Sequence, residues 1–257
     1  MKKFALTGVS ISHSKSPKLF LAAYSNHSDY SYELMPASSA EEAIILFRKN
    51  KLSGMNVTAP FKTDILKYVD WCSDEVKIIG AANVIVLQNE KLCAYNTDAI
   101  GVSDSFIHSG VELKNENVIV LGAGGAAQAA IYALKQAGAN VFCANRTEEK
   151  AEQLAKKFGV SFLPTDSLNN RLQEFRLLVN TLPANADLYH KFNLHNHHIV
   201  LDANYNECPL HEKATLSNAN YISGLSWILY QAIPSYFLFT GEMPDIEAMK
   251  EFLKSQK

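Results

Sequence analysis

Three groups of polar residues in the first part of the chain have types and spacing that suit binding and chemistry. They are Ser14 and Ser16 in SHSKSP, Thr58 and Lys62 in NVTAPFK, and Asn83 with the later Asn96, Thr97 and Asp98. Each group lies at the ends of predicted strands, and ligands of open α/β sheets lie outside the carboxyl ends of the strands. Hydroxyls, amides, one ammonium and one carboxylate would converge there. That inventory suits a small, polyhydroxylated, anionic substrate.

Each group also has a purely structural interpretation. Ser14 and Ser16 could cap a helix, and residues 96–98 could cap a helix predicted over 99–108. For any one group taken alone, capping is the commoner role of these residue types.

Lys62 is the residue that a structural interpretation fits least well. A strand is predicted at 54–58, and Pro60 suits the first turn of a helix running toward Tyr68. Such a helix would place Lys62 in its first turn, where the helix dipole disfavours a cation. A locally unfavourable residue of this kind points to a functional role.

A glycine-rich loop predicts a dinucleotide site in the second part of the chain. Residues 118–121 are wholly apolar, as buried parallel strands are, and the sequence GAGGA follows them at 122–126. Glycines there allow a tight turn and a close approach to a pyrophosphate, which the N-terminus of the next helix attracts. A second strand predicted at 141–144 completes the expected order of elements.

The residues after that second strand favour NADP over NAD. NAD-binding folds usually carry an acidic residue at this point, whereas this chain has Asn145, Arg146 and Thr147, with Lys150 one helical turn later. Arginine and lysine would bind a 2′-phosphate, which a carboxylate would repel. Thr147 could also simply cap a helix predicted at 148–158.

The elements that position these residues alternate between strand and helix along nearly the whole chain, which predicts parallel sheets covered by helices. In the first part, the predicted strands are 3–8, 30–35, 54–58, 83–87 and 92–95, with a hairpin turn at 88–91, and the predicted helices are 16–25, 40–50 and 99–108. In the second part, the predicted strands are 118–121, 141–144, 177–180 and 199–202, and the predicted helices are 126–137 and 148–158. The apolar segment 225–239 predicts a helix that Pro234 should kink or restart.

We therefore predict an α/β fold with two domains, the second inserted into the first. An N-terminal α/β substrate domain would span 1–101 and be completed by C-terminal helices within 225–257. A Rossmann-type NADP-binding domain would span 102–224.

Composition excludes several other classes of protein. The 257 residues are 47% hydrophobic and 19% charged, and the formal net charge of -2 argues against a nucleic-acid surface. No apolar run approaches the roughly 18 residues of a membrane span, and no signal peptide is evident. Four cysteines without a C-x-x-C pair favour free thiols in a reducing cytoplasm. His195, His197 and His198 predict a solvated loop rather than a metal site, because no ligand set accompanies them.

Taken together, these motifs resemble the shikimate dehydrogenase family from end to end. They are GVSISHSKSP at 8–17, GMNVTAPFK at 54–62, GAANV at 80–84, YNTDAIG at 95–101, GAGGAA at 122–127 and NRT at 145–147. DANY at 202–205 and SGLSWILYQA at 223–232 resemble the closing part of the family. The motifs occur in the family's order and spacing over nearly the whole chain.

The resemblance implies roles for individual residues, with Lys62 and Asp98 as the catalytic pair that faces the reacting oxygen. The implied substrate contacts are Ser14, Ser16, Thr58, Lys62, Asn83, Asp98, Tyr205 and Gln231. The implied cofactor contacts are Gly122, Ala123, Gly124, Gly125, Ala126, Asn145, Arg146, Thr147, Lys150, Ala203 and Gly224. The chain departs from the family pattern at Ser10, usually proline, at Val84, usually threonine, and in a shortened loop at 180–183.

The activity that the resemblance implies is an NADP-dependent oxidoreductase of aromatic amino acid (chorismate) biosynthesis. It would reduce 3-dehydroshikimate reversibly to shikimate in the cytoplasm, as a monomer or homodimer, without metal, membrane or nucleic acid. The two serines at 14 and 16 imply a preference for shikimate over quinate. Two alternatives remain, a broader quinate/shikimate dehydrogenase using NAD or NADP, and a non-catalytic NADP-binding homologue.

Overall fold

The computed structural model describes residues 1–25, 28–206 and 208–256, and within them strands and helices alternate along the chain. The strands are β1 (Lys2–Gly8), β2 (Tyr30–Pro36), β3 (Gly54–Val57), β4 (Trp71–Cys72), β5 (Val84–Gln88), β6 (Lys91–Tyr95), β7 (Asn117–Leu121), β8 (Asn140–Ala144), β9 (Ser161–Phe162), β10 (Leu177–Asn180), β11 (Ile199–Asp202) and β12 (Asn220–Ile222). The helices are α1 (Ser16–Ala23), α2 (Ala40–Lys49), α3 (Asp74–Ile79), α4 (Asp98–Ile107), α5 (Gly125–Gln136), α6 (Glu148–Phe158), α7 (Leu168–Arg171), α8 (Pro209–Leu216), α9 (Gly224–Thr240) and α10 (Ile246–Lys254). The predicted α/β class is confirmed.

The chain forms two compact units. The first unit comprises Met1–Thr97 with Gln231–Lys257, and the second comprises Asp98–Tyr230. The first dividing point is the start of α4, and the second lies inside α9. The domain limits predicted at 101 and 224 fall a few residues away from these points and stay a proposal.

The first unit is built on a mixed sheet with strand order β2-β1-β3-β5-β6-β4. β1 pairs in parallel with β2 and β3, whereas β5 runs antiparallel to both β3 and β6. The predicted hairpin across 88–91 is confirmed, and it makes this sheet mixed rather than purely parallel. The turn residues Asn89 and Glu90 have φ of 49° and 64°, the left-handed region that a two-residue hairpin turn requires.

Helix α2 illustrates why the elements of this unit form where they do. Ser39 caps its N-terminus by accepting a hydrogen bond from the Glu42 N–H. Its inward positions, which include Ala43 and Phe47, lie at helical spacing and are almost completely buried. They pack into one core cluster with Met55 of β3, so the helix fixes the strand that leads to Lys62.

The helix predicted from Pro60 toward Tyr68 is wrong. Residues 59–63 form turns, and a 3₁₀ helix follows at Asp64–Tyr68. The carbonyl oxygen of Lys62 accepts a hydrogen bond from the Ala82 N–H at 2.8 Å, so it is engaged by the segment before β5 rather than by a helical turn. Lys62 therefore lies in a turn, and the helix-dipole argument does not apply to it.

The second unit is built on a parallel sheet with strand order β12-β11-β10-β7-β8-β9. When the strands of this unit are numbered from 1 to 6 along the chain, their order across the sheet is 6-5-4-1-2-3. This is the strand order of doubly wound nucleotide-binding folds. The order reverses between β7 and β10, and ligands of such folds lie at that switch point. Ile119, Leu178 and Val200, from three adjacent strands, have no accessible surface, which matches the predicted buried parallel strands.

Helix α9 continues through Pro234, so of the predicted kink or restart the restart does not occur, and the kink stays a prediction. Proline removes one N–H donor from the helix but does not end it here, because the surrounding side chains are apolar and packed; Trp227, Tyr236 and Phe239 are almost fully buried. Of the helices in the described ranges, none is both long and apolar enough to span a bilayer.

Candidate active site

Ser14 and Ser16 lie together at the start of α1. Their hydroxyl oxygens are 3.2 Å apart, and Ser14 Oγ also accepts a hydrogen bond from the Ser16 N–H at 3.2 Å. Lys15 occupies the N-cap position and makes no capping bond with its side chain. Both serines are half-buried, and two adjacent hydroxyl donors suit the two oxygens of a carboxylate.

Asn83 is the centre of a buried amide cluster in the first unit and is only 3% exposed. Its Nδ2 donates to Gln231 Oε1 at 2.9 Å and to Thr97 Oγ1 at 3.0 Å, and its Oδ1 accepts from the Thr97 N–H at 2.8 Å. The structure thus joins the predicted residues Asn83 and Gln231 directly. Continuation of α9 past Pro234 leaves the side chain of Gln231 bonded to Asn83.

Asn56 belongs to the same cluster; it lies in the polar group that runs to Lys62, although it is not among the implied substrate contacts. Its Nδ2 donates to Ser235 Oγ at 2.7 Å and to the Asn83 carbonyl at 3.2 Å, and its Oδ1 accepts from the Tyr32 hydroxyl at 2.7 Å. Burial raises the pKa of Tyr32 and so keeps this hydroxyl protonated as a donor. A lone amide inside the otherwise apolar strand GMNV could have indicated this role.

Thr58 and Lys62 follow β3 on its carboxyl side. The Thr58 N–H donates to the Thr7 carbonyl at 2.9 Å, which continues the parallel pairing one residue past the strand. The side chains of Thr58 and Lys62 are both half-buried. A threonine hydroxyl and a lysine ammonium are therefore held near the carboxyl ends of β1 and β3, on a segment with fixed backbone.

Asp98 is the first residue of α4 and is only 2% exposed. The two residues before it are held by the first unit, since Asn96 Nδ2 donates to the Ala81 carbonyl at 2.9 Å and Thr97 is bound to Asn83. The polar side chains of Asn96 and Thr97 therefore tie the end of β6 to the loop before β5. These two hydrogen bonds, to Ala81 and Asn83, therefore do not cap α4.

In the glycine loop of the second unit, Gly122 and Gly124 have different physical reasons to be glycine. Gly122 has φ of 121°, and a Cβ there would lie 2.2 Å from Thr181 Oγ1, so both conformation and packing require glycine. Gly124 has φ of −86°, open to any residue, and a Cβ there would meet no atom within 4 Å. The space above Gly124, at the N-terminus of α5, fits a pyrophosphate. Ala123, Gly125 and Ala126 complete this loop and the first turn of α5.

The residues after β8 leave two cations exposed beside that loop. Arg146, Thr147 and Lys150 are exposed, and Asn145 Nδ2 fixes the turn by donating to the Thr147 carbonyl at 3.0 Å. Thr147 is the N-cap residue of α6, yet its hydroxyl makes no capping bond. Over the ranges that the structure describes, neither the Arg146 guanidinium nor the Lys150 ammonium has an ion-pair partner. The donor set fits a 2′-phosphate.

The acidic residue nearest to Arg146 and Lys150 in sequence that the structure shows hydrogen-bonded, Glu148, is bound to Thr165. Glu148 Oε1 accepts hydrogen bonds from the Thr165 N–H at 2.8 Å and from Thr165 Oγ1 at 2.9 Å. Two donors therefore hold the Glu148 carboxylate, which limits its freedom to turn toward a phosphate bound by Arg146.

The remaining predicted cofactor and substrate residues follow β11 and β12. Ala203 and Tyr205 lie half-buried in the loop after β11, and Gly224 begins α9. A Cβ on Gly224 would lie 2.7 Å from the carbonyl oxygens of Ala203 and Asn204, so the start of α9 packs directly on that loop.

The histidine cluster is only partly the solvated loop that the sequence predicted. His195 and His197 are exposed, but His198 has no accessible surface, so the prediction is wrong for His198. His198 Nδ1 accepts from the His195 N–H at 2.7 Å, and Nε2 is 3.2 Å from the Leu172 carbonyl. Across the described residues, no group of three or more His, Cys, Asp or Glu side chains could hold a metal ion.

Two family models match the chain. Residues 6–85 match a model described as shikimate dehydrogenase substrate binding domain, and residues 105–219 match one described as shikimate / quinate 5-dehydrogenase.

Individual relatives match over nearly their whole length. The shikimate dehydrogenase (NADP(+)) of Aquifex aeolicus is 34% identical over 251 residues, covering 94% of this chain and 92% of the relative. The protein of the same name from Methanococcoides burtonii is 35% identical over 263 residues, covering 98% and 97%. The crystal structure of shikimate 5-dehydrogenase from Thermus thermophilus, in complex with NADP(H) and shikimate, is 30% identical and covers 100% of both chains with a TM-score of 0.87.

Proposed function

The chain belongs to the shikimate dehydrogenase family, and from that premise we propose that it catalyses the NADP-dependent, reversible reduction of 3-dehydroshikimate to shikimate. The observation that carries this proposal is the match to proteins named shikimate dehydrogenase (NADP(+)), of which the chain covers 92% and 97%. A match over both units includes the substrate residues and the cofactor residues together. The reaction belongs to aromatic amino acid biosynthesis.

NADP would be held by the second unit. The glycine loop with Gly124 and the N-terminus of α5 would bind the pyrophosphate, and Arg146 and Lys150 would bind the 2′-phosphate. Asn145 and Thr147 would shape the turn around that phosphate, while Ala203 and Gly224 would present backbone to the nicotinamide end. When bound, the cofactor supplies or accepts the hydride.

The substrate would be held mainly by the first unit. Ser14 and Ser16 would donate hydrogen bonds to its carboxylate, and Thr58, Asn83 and Gln231 would bind its hydroxyls. The buried cluster around Asn83 supports this proposal because it fixes the amide orientations before the ligand arrives, which lowers the entropic cost of binding. Tyr205 of the second unit is proposed to contact the carboxylate, on the resemblance alone.

Lys62 is proposed as the acid/base group. As an ammonium it would donate a proton to the oxygen on which negative charge develops during reduction, and in the reverse direction it would take the proton back. Asp98 is proposed as its carboxylate partner, again on the resemblance. A buried carboxylate at the first position of α4 is consistent with a role that requires a fixed orientation.

The test is NADP reduction by the purified protein with shikimate, followed by absorbance of the reduced cofactor. We expect turnover with shikimate and NADP, and much lower kcat/KM with quinate or with NAD. Equal efficiency on quinate, or with NAD, would favour the broader quinate/shikimate dehydrogenase. Binding of NADP without turnover on either substrate would favour the non-catalytic homologue. Cytoplasmic location and a monomeric or homodimeric state stay predictions.

A further inference from the structure

A buried carboxylate, Asp202, links three neighbouring strands in the second unit. It is the last residue of β11 and has no accessible surface. Its Oδ1 accepts hydrogen bonds from Asn180 Nδ2 at 2.8 Å, from the Asn204 N–H at 3.0 Å and from Asn204 Nδ2 at 2.9 Å. Its Oδ2 accepts from the Tyr221 hydroxyl of β12 at 2.9 Å. Four neutral donors therefore stabilise a group whose burial is costly when it is unpaired.

The two carboxylate oxygens serve different parts of the unit. Oδ2 faces Tyr221, whose pKa is raised by burial and by the nearby Asp202, so this hydroxyl stays a donor within the sheet. Oδ1 faces Asn180, the last residue of β10, and Asn204 in the loop after β11. One oxygen thus supports the sheet, and the other fixes the loops at its carboxyl edge.

Asn204 extends the Oδ1 side of this network to two further segments. Its Nδ2 also donates to the Leu182 carbonyl in the loop after β10, at 2.9 Å. Its own carbonyl accepts from the Gly224 N–H at the start of α9, at 3.3 Å. The loop after β10, the loop after β11 and the start of α9 are therefore held in one arrangement through Asn204.

The sheet order places these loops on one side of the glycine loop. β10 and β11 lie on one side of β7, and β8, which ends beside Arg146, lies on the other. A dinucleotide that crosses the switch point with its 2′-phosphate at Arg146 must extend its other half over the ends of β10 and β11. Thr181, after β10, packs against Gly122 of the glycine loop, so the two surfaces are continuous.

We propose that Asp202 and Asn204 are positioning residues for hydride transfer. Through Oδ1 and the Asn204 side chain they fix the backbone against which the nicotinamide half lies, while the adenosine half is bound independently at Arg146. This inference rests on the proposed function, since it concerns the same cofactor and the same reaction. Neither residue needs to contact the reacting atoms; each acts through the backbone of the two loops.

The test compares Asn204→Ala with Tyr221→Phe in the full-length protein. Asn204→Ala removes the link from Oδ1 to the Leu182 carbonyl. We expect kcat to fall about tenfold to hundredfold, since a misplacement of about 1 Å can cost about 10²-fold. We also expect the deuterium isotope effect to rise when shikimate is labelled at the reacting carbon. The Kd of NADP+ should increase, while the Kd of 2′,5′-ADP, which carries only the adenosine half, should not change.

Tyr221→Phe is the matched control, because it removes a donor from the same carboxylate on the side that faces the sheet. It should lower Tm and leave kcat and both dissociation constants close to those of the wild type. If Asn204→Ala does not fold, Asn204→Ser, too short to reach Leu182, takes its place.

Three results would overturn the inference. The first is a wild-type kcat in Asn204→Ala, and the second is a loss of 2′,5′-ADP affinity in parallel with NADP+ affinity. The third is a fall in kcat in Tyr221→Phe as large as that in Asn204→Ala, when both variants lose the same amount of Tm. Failure of the proposed function is distinguishable, because the wild-type protein would then not reduce NADP with shikimate, whereas the two binding measurements would still test the positioning role.

Discussion

Acid pH should destabilise the second unit through His198. Burial lowers the pKa of His198 to about 4, the hydrogen bond to the Leu172 carbonyl opposes this, and the neighbouring His197 and His195 add to it. An unfolded histidine titrates near 6.5. Between these two values the unfolded chain binds a proton that the native protein does not, so stability falls as pH falls from about 6.5 to about 4.

The size of this effect follows from the difference between the two pKa values. Each pH unit in the window removes about 1.4 kcal/mol of unfolding free energy, so about 2 kcal/mol is lost between pH 6.5 and pH 5. That is a substantial part of the roughly 5–15 kcal/mol typical of domains. Stability at pH 7 and above is unaffected, because both states then hold a neutral imidazole.

The assay is urea unfolding of the wild type and of His198→Gln at pH 7.5, 6 and 5. Glutamine keeps one acceptor and one donor but does not titrate, so its free energy of unfolding should fall by about 2 kcal/mol less than that of the wild type over this range. His190→Gln, at an exposed position that does not act on His198, should keep the wild-type slope. Parallel pH curves for wild type and His198→Gln would refute the reasoning.

Three further predictions concern the active site. Lys62→Ala should lower kcat by about 10²–10⁴-fold and leave the Kd of shikimate nearly unchanged, measured by steady-state kinetics and equilibrium binding; wild-type turnover would remove Lys62 from the mechanism. Arg146→Ala should raise the Kd of NADP about tenfold to hundredfold without affecting NAD, and an equal loss for both cofactors would contradict the 2′-phosphate role. Gly124→Ser should weaken NADP binding at nearly unchanged Tm, because its side chain enters open space and serine is a favourable N-cap residue for α5. Gly122→Ala should lower Tm as well, because of its φ of 121° and the contact with Thr181. Equal Tm losses for the two glycine variants would argue against a ligand above Gly124.

Much of the second unit is predictable because its strands are buried on both faces. The predicted strands at 177–180 and 199–202 and the predicted helix at 148–158 coincide with β10, β11 and α6. Continuous apolar runs mark such strands clearly. The C-terminal helix α10 was predicted only as one of the helices within 225–257, without bounds of its own, although Asp245 caps it and its buried residues lie at helical spacing. Short elements such as β4 and β9, of two residues each, depend on tertiary pairing rather than on local pattern.

The buried polar residues show where sequence reasoning reaches its limit. Asn83 and Gln231 are far apart in sequence, and only the family resemblance connects them before the structure places their side chains 2.9 Å apart. Asn56 and Asp202 are polar residues within or at the end of apolar strands, which indicates that they have partners but does not identify them. Long-range hydrogen bonds of this kind depend on how strands and helices return to the sheet.

The predicted role of Lys62 rested in part on an incorrect premise. The sequence predicts that it lies in the first turn of a helix, and that helix does not exist, because residues 59–63 form turns. A turn held by the Ala82 N–H gives a stronger reason for a functional lysine than an unfavourable dipole does. It ties the carbonyl of Lys62 to the segment before β5, so the half-buried lysine side chain extends from a fixed backbone. A variant that loosens this turn, such as one that replaces Ala82 with proline and removes its N–H, should therefore lower kcat while Lys62 itself is still present.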